Sequence, residues 1–123
     1  MPLRVGIDLA SVAKVRDSLA THGDRYQQRI YTAQEITDCR GDPERLAARF
    51  AAKEAAIKVL APADEPVPWQ TIAVVRGPAG AVSLQLTAQA AALAARAGIT
   101  SLTVSFSHED DYACAVVVAE LDR

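Results

Sequence analysis

The chain has 123 residues, 50% of them hydrophobic, and a formal net charge of −2. This length fits one domain of common size, and the apolar content is enough for one core. The negative charge argues against general nucleic-acid binding. The sequence has no apolar run of about 18 residues that could span a membrane. Asp8 follows the N-terminus too closely for the apolar region of a signal peptide.

The cysteines and the charge distribution indicate the compartment and the kind of ligand. Cys39 and Cys114 have neither metal-ligand spacing nor partners for a disulfide framework, so we expect reduced thiols in a cytoplasmic protein. The net charge is +2 over residues 1–62 and −4 over residues 63–123. The first half could therefore meet a phosphate or an acidic partner, but on the asymmetry alone ordinary solvated charge is the preferred explanation.

The first forty residues predict a strand followed by helices. The β-rich segment 3–9 predicts a strand, with Asp8 near its end. Apolar residues at helical spacing predict a helix over 11–22, which Ser11 could cap. The segment Thr32-Ala-Gln-Glu35 has the pattern of a capping box and predicts the start of another short helix.

The remainder predicts a long helix and then mainly strands. Residues 43–60 are rich in Ala and begin with Pro, which favours a helix. The other predicted elements, in chain order, are a loop over 61–68, strands over 70–76 and 81–86 joined by a turn at 77–80, a helix over 87–97, and strands over 99–106 and 112–119. Helices early and hairpins late predict an α+β fold, with residues 1–123 forming a single domain.

A helical wheel of residues 43–60 places a lysine among apolar side chains. One stripe, which should face the core, contains Leu46, Phe50, Ile57 and Leu60. Lys53 falls in the middle of this stripe. Its side chain either extends along the surface to water or is buried with a partner, and the helix pattern alone leaves both possibilities open.

The flanks of the same helix carry further charges. Glu54 and Lys58 lie one turn apart on one flank, as a simple ion pair would, and Arg49 lies on the other. Asp8 has no local helical or turn role. Together with Glu54 and a diphosphate, it would supply the hard oxygen ligands that Mg²⁺ prefers. A polar cluster around His108 follows a predicted strand, where an exposed turn is the simplest interpretation.

Four segments, in chain order, resemble the holo-acyl-carrier-protein synthase family. They are Val5-Gly6-Ile7-Asp8-Leu9, Arg29-Ile30-Tyr31-Thr32-Ala33-Gln34-Glu35, Leu46-Ala-Ala-Arg49-Phe50-Ala51-Ala52-Lys53-Glu54-Ala55, and Ser105-Phe106-Ser107-His108. The resemblance covers most of the chain and implies the 4′-phosphopantetheinyl transferase fold, with helices packed on a small, largely antiparallel sheet. It also implies a Mg²⁺-dependent transfer of 4′-phosphopantetheine from coenzyme A to a serine of an acyl carrier protein, which releases adenosine 3′,5′-bisphosphate.

The resemblance assigns site residues by motif position. Asp8 and Glu54 would bind Mg²⁺, and with Lys58 and His108 they would form the catalytic set. The residues that would bind coenzyme A are Arg49, Phe50, Lys53, Lys58, Ser107 and His108. The general base stays open between Glu54, Glu109 and a water on the metal.

The resemblance also implies partners. Lys14 falls where the family carries a basic docking residue, and Arg16, Arg25 and Arg29 would extend that patch toward an acidic carrier protein. Family members of this short type form homotrimers with active sites at subunit junctions.

The sequence departs from the family pattern in three places. Ser11 stands where many relatives have an acid, Gly80-Ala81-Val82 replaces Gly-Lys-Pro, and the segment 39–44 is short. These changes suggest a specialised relative that serves polyketide or other secondary-metabolite carriers rather than the carrier of fatty-acid synthesis. Two other functions remain as alternatives: a catalytically silent relative that binds a carrier or nucleotide, and a small coenzyme A-binding domain with acyl chemistry.

Overall fold

The computed structural model describes residues 2–122 and confirms the α+β class. In chain order the elements are β1 (Leu3–Ser11), α1 (Val12–His22), α2 (Asp24–Ile30), α3 (Ala33–Cys39), α4 (Pro43–Leu60), β2 (Ile72–Arg76), β3 (Val82–Leu86), α5 (Ala88–Ala97), β4 (Ile99–His108) and β5 (Tyr112–Leu121). No helix within residues 2–122 combines the length and the apolar content required to cross a membrane.

The strands form two antiparallel sheets. The larger has the order β1-β5-β4, so the strand nearest the N-terminus pairs with the last strand of the chain. Asp8 lies opposite Ala115 in this register. The strands β2 and β3 form a separate hairpin. The predicted strand over 70–76 begins only at Ile72, because Trp69–Thr71 form a 3₁₀ turn.

Helix α4 lies directly on the larger sheet, because both surfaces carry small residues. The alanines of α4 at 47, 48, 51, 52, 55 and 56 are all fully buried. A Cβ atom on Gly6 of β1 would overlap the carbonyl oxygen of Ala55. Glycine at this position therefore lets α4 approach the backbone of β1 closely.

The helix starts follow the predicted caps. The Ser11 Oγ atom accepts a hydrogen bond from the Lys14 backbone N–H at 3.2 Å, as expected for an N-cap. Thr32 and Glu35 form the predicted capping box at the start of α3. Pro43 occupies the first turn of α4, which Asp42 caps.

The lysine within the apolar stripe of α4 is buried rather than extended to water. Lys53 has 0% exposure, and its Nζ atom lies 2.8 Å from the equally buried Glu35 Oε1. Nζ also donates to the carbonyl oxygens of Trp69 at 3.1 Å and Ile72 at 2.5 Å. The other Glu35 oxygen accepts from the Val74 N–H at 2.6 Å. This pair thus joins α3 and α4 to the β2–β3 hairpin.

Candidate active site

The predicted metal and phosphate residues meet where α4 crosses β1. The Lys58 Nζ atom donates to the Ile7 carbonyl oxygen at 2.6 Å and lies 3.5 Å from Asp8 Oδ1. The Asp8 side chain is 20% exposed and that of Lys58 is 54% exposed. Both side chains are therefore accessible to a ligand. The fold brings them together from segments fifty residues apart in the sequence.

Glu54 is a second carboxylate close enough to Asp8 and Lys58 for their charges to shift its pKa. Burial raises the pKa of Glu54, the negative charge of Asp8 raises it further, and the positive charge of Lys58 partly opposes both effects. The simple i,i+4 ion pair considered from the sequence does not form. Among residues 2–122, no ion pair joins Glu54 to Lys58, because the lysine turns toward β1.

A cleft of about 500 Å³, here called the reaction cleft, opens over these carboxylates. Its polar lining includes Asp8, Ser11, Lys14 and Glu54, and its apolar lining includes Val15, Ile30, Phe50 and the ring of Tyr26. Phe50 is partly buried and packs against Trp69, with ring centroids 5.2 Å apart. The cleft therefore offers charged groups to phosphates or a metal and apolar surface to a less polar group.

A second cleft of about 410 Å³, here called the His108 cleft, lies at the tip of the β4–β5 hairpin. Ser107, His108 and Glu109 line it, and it shares Leu9 and Tyr112 with the reaction cleft. The His108 Nδ1 atom lies 3.5 Å from Glu44 Oε1. Glu44 was not predicted as a site residue, because no motif around it indicates a site and only the fold brings it to His108.

Arg49 lies inside the protein rather than on an exposed flank of α4. The residue is 1% exposed, and its guanidinium carbon lies 5.7 Å from the centroid of the Phe106 ring. One terminal nitrogen, Nη1, donates to the Arg45 carbonyl oxygen at 3.4 Å. The Nε and Nη2 atoms have no hydrogen-bond partner among residues 2–122. Buried donors without partners are costly, so these two nitrogens need an acceptor that the described part of the chain does not supply.

Lys53 lines neither cleft, and its support of a coenzyme A pocket stays a prediction. Its ammonium group is fully enclosed and already bonded to Glu35, Trp69 and Ile72. A ligand in the reaction cleft would have to displace these bonds to reach it. Lys53 therefore stabilises the position of α4.

The basic residues predicted for carrier docking are divided between two places. Lys14 lines the reaction cleft. Arg25 and Arg29 line a smaller cleft of about 230 Å³, here called the basic cleft, together with His22 and Tyr26. Arg16 is exposed on α1. Tyr26 thus belongs to both the reaction cleft and the basic cleft.

Metal ligands in this region are restricted to carboxylates. Among residues 2–122, no group of three or more His, Cys, Asp and Glu side chains could hold an ion by itself. Asp8 and Glu54 fit a hard divalent cation as a pair: burial raises the pKa of Glu54, the charge of Asp8 raises it further, and a cation would offset both effects. Such an ion would take its other ligands from water or from substrate oxygens.

The chain is similar to known proteins of one family over nearly its whole length. The family model described as "4′-phosphopantetheinyl transferase superfamily" matches residues 4–117. A holo-[acyl-carrier-protein] synthase of Chloroflexus aurantiacus is 45% identical, with 93% of this chain and 95% of the relative covered. One from Desulforudis audaxviator is 40% identical, with 97% and 93% covered.

A solved structure shares the whole fold. The chain of the Chronobacterium ammoniagenes ACPS–CoA complex superposes with a TM-score of 0.86 at 30% identity, and all of both chains is covered. The similarity therefore extends over the sheet, α4 and both hairpins. The chain belongs to the holo-acyl-carrier-protein synthase family of 4′-phosphopantetheinyl transferases.

Proposed function

We propose that this enzyme transfers 4′-phosphopantetheine from coenzyme A to a serine hydroxyl of an apo acyl carrier protein and releases adenosine 3′,5′-bisphosphate. The observation that carries the proposal is the pair of carboxylates, Asp8 and Glu54, that lines the reaction cleft, with the Lys58 Nζ atom 3.5 Å from Asp8. This cleft adjoins the His108 cleft, so a long phosphorylated ligand can occupy both. A related structure of the same fold is a complex with coenzyme A.

Asp8 and Glu54 would hold Mg²⁺. Their two carboxylates are the hard oxygen donors that this ion prefers, and Lys58 neutralises only part of their charge. When bound, the ion would neutralise the charge that develops on the phosphoryl oxygens during transfer. Asp8 and Glu54 therefore orient the diphosphate indirectly, while the protein side chains around them bind it directly.

Three basic residues would bind the phosphates of coenzyme A. Lys58 is exposed and flexible enough to follow a phosphate from its resting contact with Asp8. Arg49 offers two buried donors that need an acceptor, and His108 lies at the mouth of the adjoining cleft. Positive groups at fixed positions stabilise a phosphoryl-transfer transition state without reorganisation.

The serine proton has two protein acceptors within reach of the clefts. Glu54 lines the reaction cleft, and its raised pKa brings it closer to neutrality than an ordinary carboxylate. Glu109 lies on the neighbouring hairpin beside His108. If Glu54 is committed to the metal, Glu109 remains as a candidate for this role.

The acidic carrier protein would dock on the basic residues of α1 and α2. Lys14 extends the basic surface into the reaction cleft, and Arg25 and Arg29 continue it across the basic cleft. Arg16 adds a further exposed charge on α1. Complementary charge of this kind accelerates association and fixes the orientation of the partner.

We further propose that the enzyme is a cytoplasmic homotrimer. Leu3, Val5, Ile7 and Leu9 are 60–65% exposed and alternate along β1, so they form one apolar face. A monomer in water gains nothing from such a face, whereas subunit contact would bury it. Both cysteines are free thiols, as expected in a reducing compartment.

Mass spectrometry tests the reaction directly. Purified enzyme is incubated with an apo carrier protein, coenzyme A and Mg²⁺, and the intact mass of the carrier is measured. We expect the carrier to gain one phosphopantetheine group at its serine. A panel of fatty-acid and polyketide carriers also tests specialisation, which efficient modification of the fatty-acid carrier with poor modification of polyketide carriers would exclude.

A further inference from the structure

Tyr26 occupies the boundary between two clefts that would serve different purposes. Its side chain lines the reaction cleft together with Asp8 and Glu54, and it lines the basic cleft together with Arg25 and Arg29. The reaction cleft therefore adjoins the basic cleft at Tyr26 and adjoins the His108 cleft at Leu9 and Tyr112. Tyr26 is the residue that the reaction cleft and the basic cleft have in common, so it neighbours both the arginines and the carboxylates.

The hydroxyl group of Tyr26 is fixed by a second tyrosine. The two hydroxyl oxygens of Tyr26 and Tyr31 lie 2.8 Å apart, and Tyr31 donates to the carbonyl oxygen of Leu46 at 3.0 Å. The bond to Leu46 uses the single hydroxyl proton of Tyr31, so Tyr26 is the donor in the bond between the two tyrosines. The rings meet edge to face, with centroids 5.7 Å apart and planes at 74°. A chain of hydrogen bonds thus connects Tyr26 to the backbone of α4.

Tyr31 is itself held rigidly. It is 2% exposed, and the Lys53 ammonium group lies 5.9 Å from the centroid of its ring. Burial raises the pKa of Tyr31 far above the ordinary value for tyrosine, so its hydroxyl stays protonated and keeps donating. The buried pair of Glu35 and Lys53 and the hydroxyl chain therefore fix the same part of α4.

We propose that Tyr26 is a specificity-determining residue for the carrier protein and that Tyr31 is the positioning residue that sets the Tyr26 ring. The inference rests on the proposed function, because it assigns the basic cleft to an acidic carrier. Tyr26 then lies where the surface that docks the carrier meets the cleft that contains the carboxylates. Its fixed orientation favours a carrier whose serine segment fits beside an aromatic wall.

The alternative ligand for this ring is the pantetheine arm of coenzyme A, which also enters the reaction cleft. Steady-state kinetics separates the two, because carrier and coenzyme A are varied independently. The variants are Tyr26→Phe, Tyr31→Phe and the double variant. Gln28→Ala is the matched control. Gln28 lies on the same helix as Tyr26 but lines a separate groove, together with Gln70, and lines neither the reaction cleft nor the basic cleft.

We expect Tyr26→Phe and Tyr31→Phe each to raise KM for the carrier about threefold to tenfold. Each variant loses the hydrogen bond between the two tyrosine hydroxyls and so frees the Tyr26 ring, and the free energy of one neutral hydrogen bond sets the size of the effect. KM for coenzyme A and kcat should stay within about twofold, within the range of surface changes. The double variant should match the stronger single variant, since both substitutions break one chain. A rise in KM for coenzyme A, or no change in either KM, would overturn the inference.

The test remains decisive if a variant folds poorly or if transfer fails. Tyr26→Phe keeps the bond from Tyr31 to Leu46, so it tests the inference even when Tyr31→Phe is destabilised. Absence of transfer by the unmodified enzyme would overturn the proposed function instead. Calorimetric binding of the apo carrier would then decide the role of Tyr26: weaker binding by Tyr26→Phe supports it, and unchanged affinity contradicts it.

Discussion

Lys58 of α4 and Asp8 of β1 lie 3.5 Å apart, with the lysine also bonded to the carbonyl oxygen of Ile7 at 2.6 Å. This contact joins the two segments of the sequence that supply the candidate metal ligands. It depends on the close approach of α4 to β1, which the absence of a side chain at Gly6 permits. The chemistry of the site thus depends on how closely a helix packs against a strand.

Gly6→Ala should damage both stability and activity. The added methyl group would overlap the Ala55 carbonyl oxygen, so α4 must move away from β1. Overpacking of this kind costs about 1–3 kcal/mol, and the movement separates Glu54 and Lys58 from Asp8. Urea denaturation and transfer assays measure the two effects. Gly77→Ala is the control, because its nearest contact is an ordinary 3.6 Å; equal effects of both substitutions would contradict the proposed role of Gly6.

Lys53→Ala should be among the most destabilising changes in the chain. It leaves Glu35 buried without its cation, and breaking a buried pair in this way costs about 3–5 kcal/mol. The double variant Glu35→Gln with Lys53→Met should recover part of this loss, because no isolated charge remains. Arg96→Ala, which removes an exposed pair with Glu65, should cost less than about 1 kcal/mol. Comparable losses for Lys53→Ala and Arg96→Ala would refute this interpretation of the pair.

Glu35 and Lys53 show how much of the molecule could be predicted from the sequence. The helix over 43–60, the Ser11 cap and the capping box of Thr32 and Glu35 follow from local patterns, and the structure contains all three. The second function of Glu35, its bond to Lys53, could not be predicted in this way, because it joins segments eighteen residues apart through the core. Glu44 beside His108 was missed for the same reason.

The site residues divide similarly. Asp8, Glu54 and Lys58 were identified as a group and do lie together. The burial of Arg49 and Lys53 was not predicted, since a helical wheel gives the direction of a side chain but not what covers it. The motif resemblance placed Lys53 with the residues that bind coenzyme A. The packed structure shows that its ammonium group already bonds to Glu35 and to two backbone carbonyl oxygens.

Arg49→Met should separate ligand binding from stability. Two nitrogens of Arg49 have no partner in the described part of the chain, so their removal relieves an unpaired buried charge. We expect thermal stability without ligand to stay constant or rise, while KM for coenzyme A rises at least about tenfold. A stability loss with unchanged KM would mean that Arg49 serves packing through its contact with Phe106.

The metal-free enzyme should lose stability as pH rises through the titration of Glu54. The pKa of Glu54 is raised in the folded protein above the ordinary value of 4.5, so the folded state binds the proton more tightly than the unfolded state. The free energy of unfolding therefore falls from about pH 4.5 upward until the folded carboxyl has ionised. Glu54→Gln should abolish this part of the pH dependence. Identical pH profiles for the variant and the unmodified enzyme would contradict the assignment.

Mg²⁺ should stabilise the enzyme through the same carboxylates. A ligand that binds only the folded state raises the melting temperature in proportion to the logarithm of its concentration above Kd. We expect such a rise for the unmodified enzyme and little or none for Asp8→Asn or Glu54→Gln. Glu65→Gln, on an exposed loop, is the control that should respond normally. An equal response in all four proteins would place the ion elsewhere.

The most direct test of the account compares phosphopantetheine transfer by the unmodified enzyme, Asp8→Asn and Glu54→Gln, with intact carrier mass as the readout and circular dichroism as the check of folding. The account requires that the unmodified enzyme add one phosphopantetheine group in the presence of Mg²⁺ and that both folded variants add essentially none. Transfer at the unmodified rate by either folded variant would contradict the assignment of Asp8 and Glu54 as the metal-binding centre of the reaction.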